Sequence, residues 1–565
     1  MKEKLQNPKS RKKILICVTA AVIILAAAVA AVFITVSNTS RYDGYDEPDY
    51  YGTEYVETTE NIAEKSLEFE TGLDEFVEAK IESTPVKLSA ESLRKFENFL
   101  ADIHPVYEYS DYYHIDEALK RVGEKNITEV KQHKYDVRVN GELDYNALYK
   151  LVLKNNKEFL KTYDDFIPSY EKPGNGEIKE ICKRICEVLT EYAETYPEID
   201  MDTVCCNLYD LKILNTSQSF DVAHLEENNI FFFSKKQIKA IGGLINTEDP
   251  YTSTLYHEMV HFCQVCCDCY NNGDEWRVGI GNDYADTETD ALCWYWLSEA
   301  SAEKIMCRQL GIGYTTYTSF VGYITSLDFI AQLDQNIGAN EVEFLNIQHD
   351  IEETFRLFDI VKPEERLEFI KMMYTVEVLQ TKPDGFYDEY EKKNGVDLDS
   401  TDEIETEFRL SLKDDALLTM TKLFYRNLAR QIKSGNTTLQ DMLYLIRVWE
   451  NKLCYHCSNN EYAYMAAFER FYDDYMSIQT EFFALIADEN GVTADELTDA
   501  LLNYSINITD NGTKKSPNCD LTFLDSEEKK FISDCIDVYY NTGFPSIKEC
   551  VDLARMCEEA LNGSK

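Results

Sequence analysis

The chain has 565 residues, with 56 Lys and Arg against 102 Asp and Glu, a formal charge of −46 at pH 7. That surface repels phosphate, which excludes nucleic acid as a partner class; the acidity otherwise fits cationic substrates, bound Ca²⁺ or simple solubility. The length exceeds what one hydrophobic core holds and predicts two or three subdomains.

The first 13 residues carry Lys2, Lys4, Lys9, Arg11, Lys12 and Lys13 against a single Glu3, and residues 14–36 follow without a charge. An uncharged run of that length suffices to cross a bilayer, and the basic flank orients it with the N-terminus inside. The expectation is therefore a cytoplasmic tail over 1–13, a transmembrane signal anchor over 14–36 and an exported remainder. That describes a single-pass cell-membrane protein with an extracellular catalytic domain. A cleaved signal peptide is the rival, since Ala26 to Ala31 offers small residues. Residues 37–85 are rich in Asp, Glu and Tyr with little aliphatic content, the composition of an acidic flexible stalk.

From residue 86 onward helical periodicity dominates. Helices are predicted over Glu91–Leu100, Tyr145–Leu160 and Glu177–Tyr192, with the few strand signals clustered near 204–245. Asn229-Ile230-Phe231-Phe232-Phe233-Ser234 is a short apolar strand, and Gly242-Gly243 marks a turn after it. Residues 254–267 contain no Pro or Gly, and Asp249-Pro250 supplies a start signal upstream. Within that helix lies His257-Glu258-Met259-Val260-His261. An HExxH motif sets two imidazoles one turn apart on one face, the spacing two ligands of one zinc ion need, with Glu258 beside them as a general base. The chain has only 8 His, so a pair at this spacing is informative.

A third ligand must come from elsewhere. The HExxHxxGxxH extension of metzincins is closed, because Gln264 and Cys267 stand at the Gly and final His positions. Trp296-Leu297-Ser298-Glu299-Ala300 resembles the Trp-Leu-Asn-Glu-Gly run of zinc aminopeptidases, and Glu299-x-x-x-Glu303 resembles the Glu-x-x-x-Asp of thermolysin-like enzymes. The resemblance is to gluzincin-type metallopeptidases, over about residues 225–310. It implies Glu299 on the metal and Glu303 as the acid that orients a zinc-bound His. It also implies a zincin-like sheet whose edge strand, here 229–234, pairs with substrate backbone. One departure is the gap of 37 residues between His261 and Glu299, longer than is usual in these families. An insertion over Cys266 to Asp290 accounts for it, and Asp286, Glu288 and Asp290 inside it are competing donors. A solvated helix face is the alternative for Glu299 and Glu303.

The chemistry that this ligand set implies is peptide-bond hydrolysis at the outer face of the membrane. Zn²⁺ would acidify a water and polarise the scissile carbonyl, while Glu258 takes the water proton and passes it to the leaving amine. Tyr314, Tyr317, Tyr323 and His224 are candidate donors to the oxyanion. The substrate would be a protein or peptide, and the cofactor one catalytic Zn²⁺. The Ala after Glu299 tilts the reading toward an endopeptidase. The alternative function is a catalytically inactive zincin-fold surface binding or scaffolding protein.

C-terminal to the motif, helices are predicted over Val342–Phe358, Pro363–Met373, Asp402–Ile432, Leu439–Lys452, Glu461–Ile486 and Ser546–Ala560. The expected fold class is thus α+β and predominantly helical. A zincin-like catalytic region over 86–330 (a small sheet plus the HExxH helix) precedes a helical C-terminal region over 331–565, behind one N-terminal transmembrane helix. Of 17 Cys, 16 follow Cys17, an even number that suggests disulfides in an exported chain. Cys263, Cys266, Cys267 and Cys269 are placed to tie the zinc helix to Cys293 or Cys307. Cys454-Tyr455-His456-Cys457 is also half of a structural zinc pattern, against a disulfide or buried thiols.

Overall fold

The computed structural model describes residues 85–105, 107, 133–162, 170–171, 173–197, 199–216, 223–225, 229–234, 250–264, 294–312, 318–335, 342–343, 347, 351–381, 391–392, 402–435, 437–458 and 463–503. In chain order its elements begin with α1 (Ala90–Ala101), β1 (Arg138–Val139), β2 (Glu142–Leu143), α2 (Tyr145–Thr162) and β3 (Tyr170–Glu171). Next come α3 (Asn175–Thr195), α4 (Met201–Tyr209), β4 (Lys212–Thr216), β5 (Ala223–Leu225), β6 (Ile230–Ser234), α5 (Pro250–Gln264) and α6 (Tyr295–Leu310). The remainder is helical: α7 (Thr318–Gln335), α8 (Ile351–Leu357), α9 (Pro363–Thr381), α10 (Asp402–Ser434), α11 (Leu439–Ser458), α12 (Ala463–Asn490) and α13 (Ala494–Asn503). The described chain is therefore predominantly helical with small sheets, as the periodicity predicts.

Two compact units divide the chain. One takes in Tyr109–Ile324 and Asn340–Tyr390; the other takes in Met1–Glu108, Thr325–Ala339 and Glu391–Lys565. A single cut near residue 330 does not reproduce this division, because residues 340–390 fall with the segment that bears the HExxH helix.

That unit is built on a four-stranded sheet of order β3-β4-β6-β5. β4 and β6 are parallel, with Ile213 opposite Phe231 and Asn215 opposite Phe233, while β3 and β5 flank them antiparallel. Both faces are covered, and successive side chains go to opposite faces. Leu214 and Ile230 pack with Phe159 of α2. Ile213, Phe231 and Phe233 join the main core with α3, α4, α5 and α6. The ring of Phe231 stacks on Phe262 of α5 at 5.2 Å, which seats the HExxH helix on the sheet.

Two expectations change here. The segment 229–234 is not an edge strand: β6 is interior, and among the described residues the edge on that side is β5, which also lies against α5. The strand signal beginning at 204 gives way to helix α4, because Asp200 caps it by accepting from the Asp202 N–H at 3.0 Å, and Val204, Cys205 and Leu208 then face the core.

The helical unit packs α10 along α12, with α1 against both and α11 and α13 against α12. Ser89 caps α1 by accepting from the Ser92 N–H at 3.1 Å, and Phe96 of α1 meets Phe482 at 5.4 Å. Thr438 and Asp441 exchange backbone-to-side-chain hydrogen bonds of 2.9 and 3.1 Å at the start of α11, a reciprocal cap that fixes where the helix begins. Phe424 stacks on Trp449 at 5.0 Å to hold α11 on α10.

The expected localisation is corrected. Among the described residues no helix is long and apolar enough to cross a membrane. Residues 1–13, 14–36 and 37–84, and the helix expected over 546–560, lie outside the described residues. The cysteine staple is also corrected where it can be followed: Cys263 and Cys307 are buried free thiols, as are Cys182, Cys186, Cys205 and Cys206. Cys263 donates to the Met259 carbonyl of its own helix at 3.4 Å, and burial pushes its pKa up to about 12. Cys266, Cys267, Cys269 and Cys293 lie outside the described residues. His456 is occupied by Ser326, with Oγ and Nε2 2.9 Å apart, so its ring is already engaged in the helical core.

Candidate metal centre

Helices α5 and α6 pack side by side, and each is buried on nearly every side where they meet. Pro250 stands at the first position of α5, where its missing N–H costs nothing. From Leu255 to Gln264 only Glu258 is partly exposed. Two hydrogen bonds from outside pin the helix backbone: Tyr192 Oη donates to the Tyr256 carbonyl at 2.9 Å, and Asn207 Nδ2 to the Phe262 carbonyl at 3.0 Å. α6 ends at Gly311 in the left-handed region at φ 65°, where a Cβ would be strained. At its start the Trp296 N–H donates to Glu377 at 3.0 Å, which places a carboxylate at the positive end of the helix.

The pairing brings His257, His261 and Glu299 to one point. His257 Nε2 lies 3.0 Å from Glu299 Oε2 and 3.1 Å from His261 Nε2, and His261 Nε2 lies 3.6 Å from Glu299 Oε1. The two rings meet edge-on, 4.9 Å between centroids. All three side chains are buried, at 7 % exposed for His257 and 5 % for His261 and Glu299, which removes the solvated-face alternative for Glu299. Bonds of about 2.0–2.1 Å at tetrahedral angles hold the ligand atoms of zinc about 3.3 Å apart. The three observed separations bracket that value, so the residues fit a zinc ion in spacing as well as in donor type.

Each imidazole is held from behind. His257 Nδ1 faces Glu303 Oε2 at 3.4 Å, and Glu303, 1 % exposed, in turn accepts from the Cys307 thiol at 3.7 Å. His261 Nδ1 donates to Gln264 Oε1 at 2.7 Å, and Gln264 Nε2 donates to the Ser298 carbonyl at 3.1 Å. Both bonds leave Nε2 turned inward, where the lone pairs converge.

The electrostatics point the same way. Burial on its own would depress both imidazoles. Hydrogen bonds that its ring donates to Glu299 and Glu303, with the charges of Glu299 and Glu258, override it and raise His257 to about 10. The charge and hydrogen bond of Glu299 raise His261 to about 9. Burial would likewise raise Glu299, but the two imidazoles hold it far below the usual carboxylate range. The cluster therefore favours positive charge on or between its imidazoles. Two Nε2 atoms 3.1 Å apart cannot both point hydrogens at each other, so one shared cation satisfies the geometry better than two protons.

Glu258 is half-buried, and its charge acts on both imidazoles, which puts it beside the group. Among the other candidates, Tyr323 is buried with its ring edge-on to Trp296 at 6.1 Å, a packing partner of α6. The backbone of His224 lies on the edge strand β5. Tyr314, Tyr317, Asp286, Glu288 and Asp290 lie outside the described residues. Gln264 and Glu377 are parts of the site that the sequence did not reveal. Gln264 had a signal, three residues past His261 on the same helix face; Glu377, 81 positions from Trp296, had none.

No family model, no curated protein and no solved structure matches the chain.

Proposed function

We propose that this chain is a zinc-dependent peptidase of the gluzincin type, with His257, His261 and Glu299 as metal ligands and Glu258 as general base. The observation that carries the reading is the convergence of two imidazole nitrogens and one carboxylate, all buried, at separations a tetrahedral zinc imposes. A bound zinc would supply an acidified water and a polarised substrate carbonyl. Glu258 is the one group of the α5 segment from Leu255 to Gln264 that is open enough to meet water, and it accepts the proton and returns it to the departing amine. Glu303 and Gln264 keep the imidazoles turned inward, and the Glu377 carboxylate steadies the start of the helix that delivers Glu299. The substrate backbone adds to the sheet edge at β5, the strand against α5.

Metal analysis and a peptide library test this together. The purified chain is expected to hold one zinc, to lose it on His257→Ala, and to keep it with hydrolysis abolished on Glu258→Gln. A chain that carries no zinc and cleaves no peptide overturns the proposal in favour of a binding protein on the same framework.

A further inference from the structure

Gln264 is fully buried, and both ends of its amide are engaged at once. The Ser298 carbonyl can only accept, so the amide must present its NH₂ group there. That choice turns Oε1 toward His261 Nδ1, which must then carry the hydrogen. Reversing the amide would set two acceptors against each other at Ser298 with no water to relieve them. His261 is thereby locked in the tautomer that leaves Nε2 bare. Ser298 is also the residue before Glu299, so the same side chain couples the second imidazole to the backbone that carries the carboxylate ligand.

His257 is treated differently. Its Nδ1 faces a carboxylate, Glu303, whereas that of His261 faces a neutral amide. With Glu258, Glu299 and Glu303 already around the pair, a fourth carboxylate at 264 would crowd like charge into a buried space. We infer that Gln264 is a positioning residue of this centre, setting the tautomer of His261 and clamping α5 to α6 beside Glu299. The inference rests on the metal-centre reading above.

Zinc affinity measured by chelator competition tests it, together with the visible bands of the cobalt-substituted full chain. Gln264→Met keeps the size of the side chain and removes both hydrogen bonds; it is expected to weaken zinc binding about 10–100-fold and to shift the cobalt bands. Gln264→Glu keeps an acceptor for His261 Nδ1 but sets an acid against the Ser298 carbonyl; it is expected to leave the cobalt bands in place, since the tautomer is still held, and to weaken zinc binding less than Gln264→Met does. An unchanged affinity and spectrum in Gln264→Met overturns the inference, as does equal loss in both variants. If Gln264→Met does not fold, Gln264→Glu decides, and cobalt bands shifted there although the acceptor for His261 Nδ1 is kept overturn it. An original chain that binds no zinc instead sinks the metal-centre reading. One that binds zinc alongside an indifferent Gln264→Met sinks only the role of Gln264.

Discussion

Each of the two units buries a carboxylate among polar partners, and the two clusters are built on opposite principles. In the helical unit Glu450, 2 % exposed, accepts from Arg447 at 3.0 Å and from the Tyr475 hydroxyl at 2.8 Å, with Gln479 donating to Tyr475 and Tyr425 at 3.1 Å. Every acceptor meets a donor, and a guanidinium of the same chain balances the charge. In the other unit Glu299 meets two imidazoles whose ring nitrogens face each other, and Glu258 and Glu303 add negative charge around them. The first network is closed by its own side chains. The second gathers three possible metal ligands and leaves its acids to be balanced by the imidazoles or, as proposed above, by a bound cation. Burial of ionisable groups alone therefore does not single out a candidate site; convergence of possible metal ligands on one point does.

The titration shifts express the same difference. Burial raises Glu450, with Arg447 and its hydrogen bonds opposing, whereas the imidazoles drive Glu299 down despite burial.

The largest effect that would sharpen this contrast is expected at Glu258. Glu258→Gln should cut peptide turnover by about 10²–10⁴-fold with the zinc content unchanged. Full activity in that variant would break the functional half of the comparison. In the helical unit Arg447→Met strands a buried carboxylate and should destabilise the fold by about 3–5 kcal/mol in denaturant titration, with metal content unaltered. A variant as stable as the original would show that the network is not closed as described. Tyr475→Phe removes one donor to Glu450 and should cost about 1–3 kcal/mol, read from the same titration. A further contrast concerns pH. In the metal-free chain the raised imidazoles add stability that is complete below about pH 6.5. It is lost as pH rises through about 9 for His261 and about 10 for His257. Thermal unfolding in chelator should therefore weaken across that window, and the zinc-loaded chain should not follow it, since its imidazoles are already deprotonated. Parallel pH profiles for the two forms would break the claim that one cation takes the place of the shared protons.

Much of the secondary structure follows from local pattern. The helices expected at Tyr145, Pro363, Asp402 and Leu439 begin at those residues, because caps and apolar spacing act within a turn or two. Where the expectation failed, a non-local choice was at stake. Residues 204–209 carry β-favouring Val and Cys, yet the Asp200 cap and burial against the core made them helical. The apolar run 230–234 has the composition of a strand in any sheet position, and only pairing with β4 on one side and β5 on the other made it interior. Cys263 and Cys307 were candidates for a bridge by count; their helices point each thiol at a partner on its own helix.

The amino-acid order alone determined the imidazole pair and the acid beside it, since a spacing of four on a helix converts directly into one face. It also marked Glu299 and Glu303 as a pair one turn apart. The fold decided which acid meets those imidazoles across 37 intervening residues, which strand is the sheet edge, and that Gln264 and Glu377 belong to the site. The reason is physical: hydrogen bonds between neighbouring turns fix what lies within a few residues, whereas contacts between distant segments depend on which buried faces fit when the whole core closes.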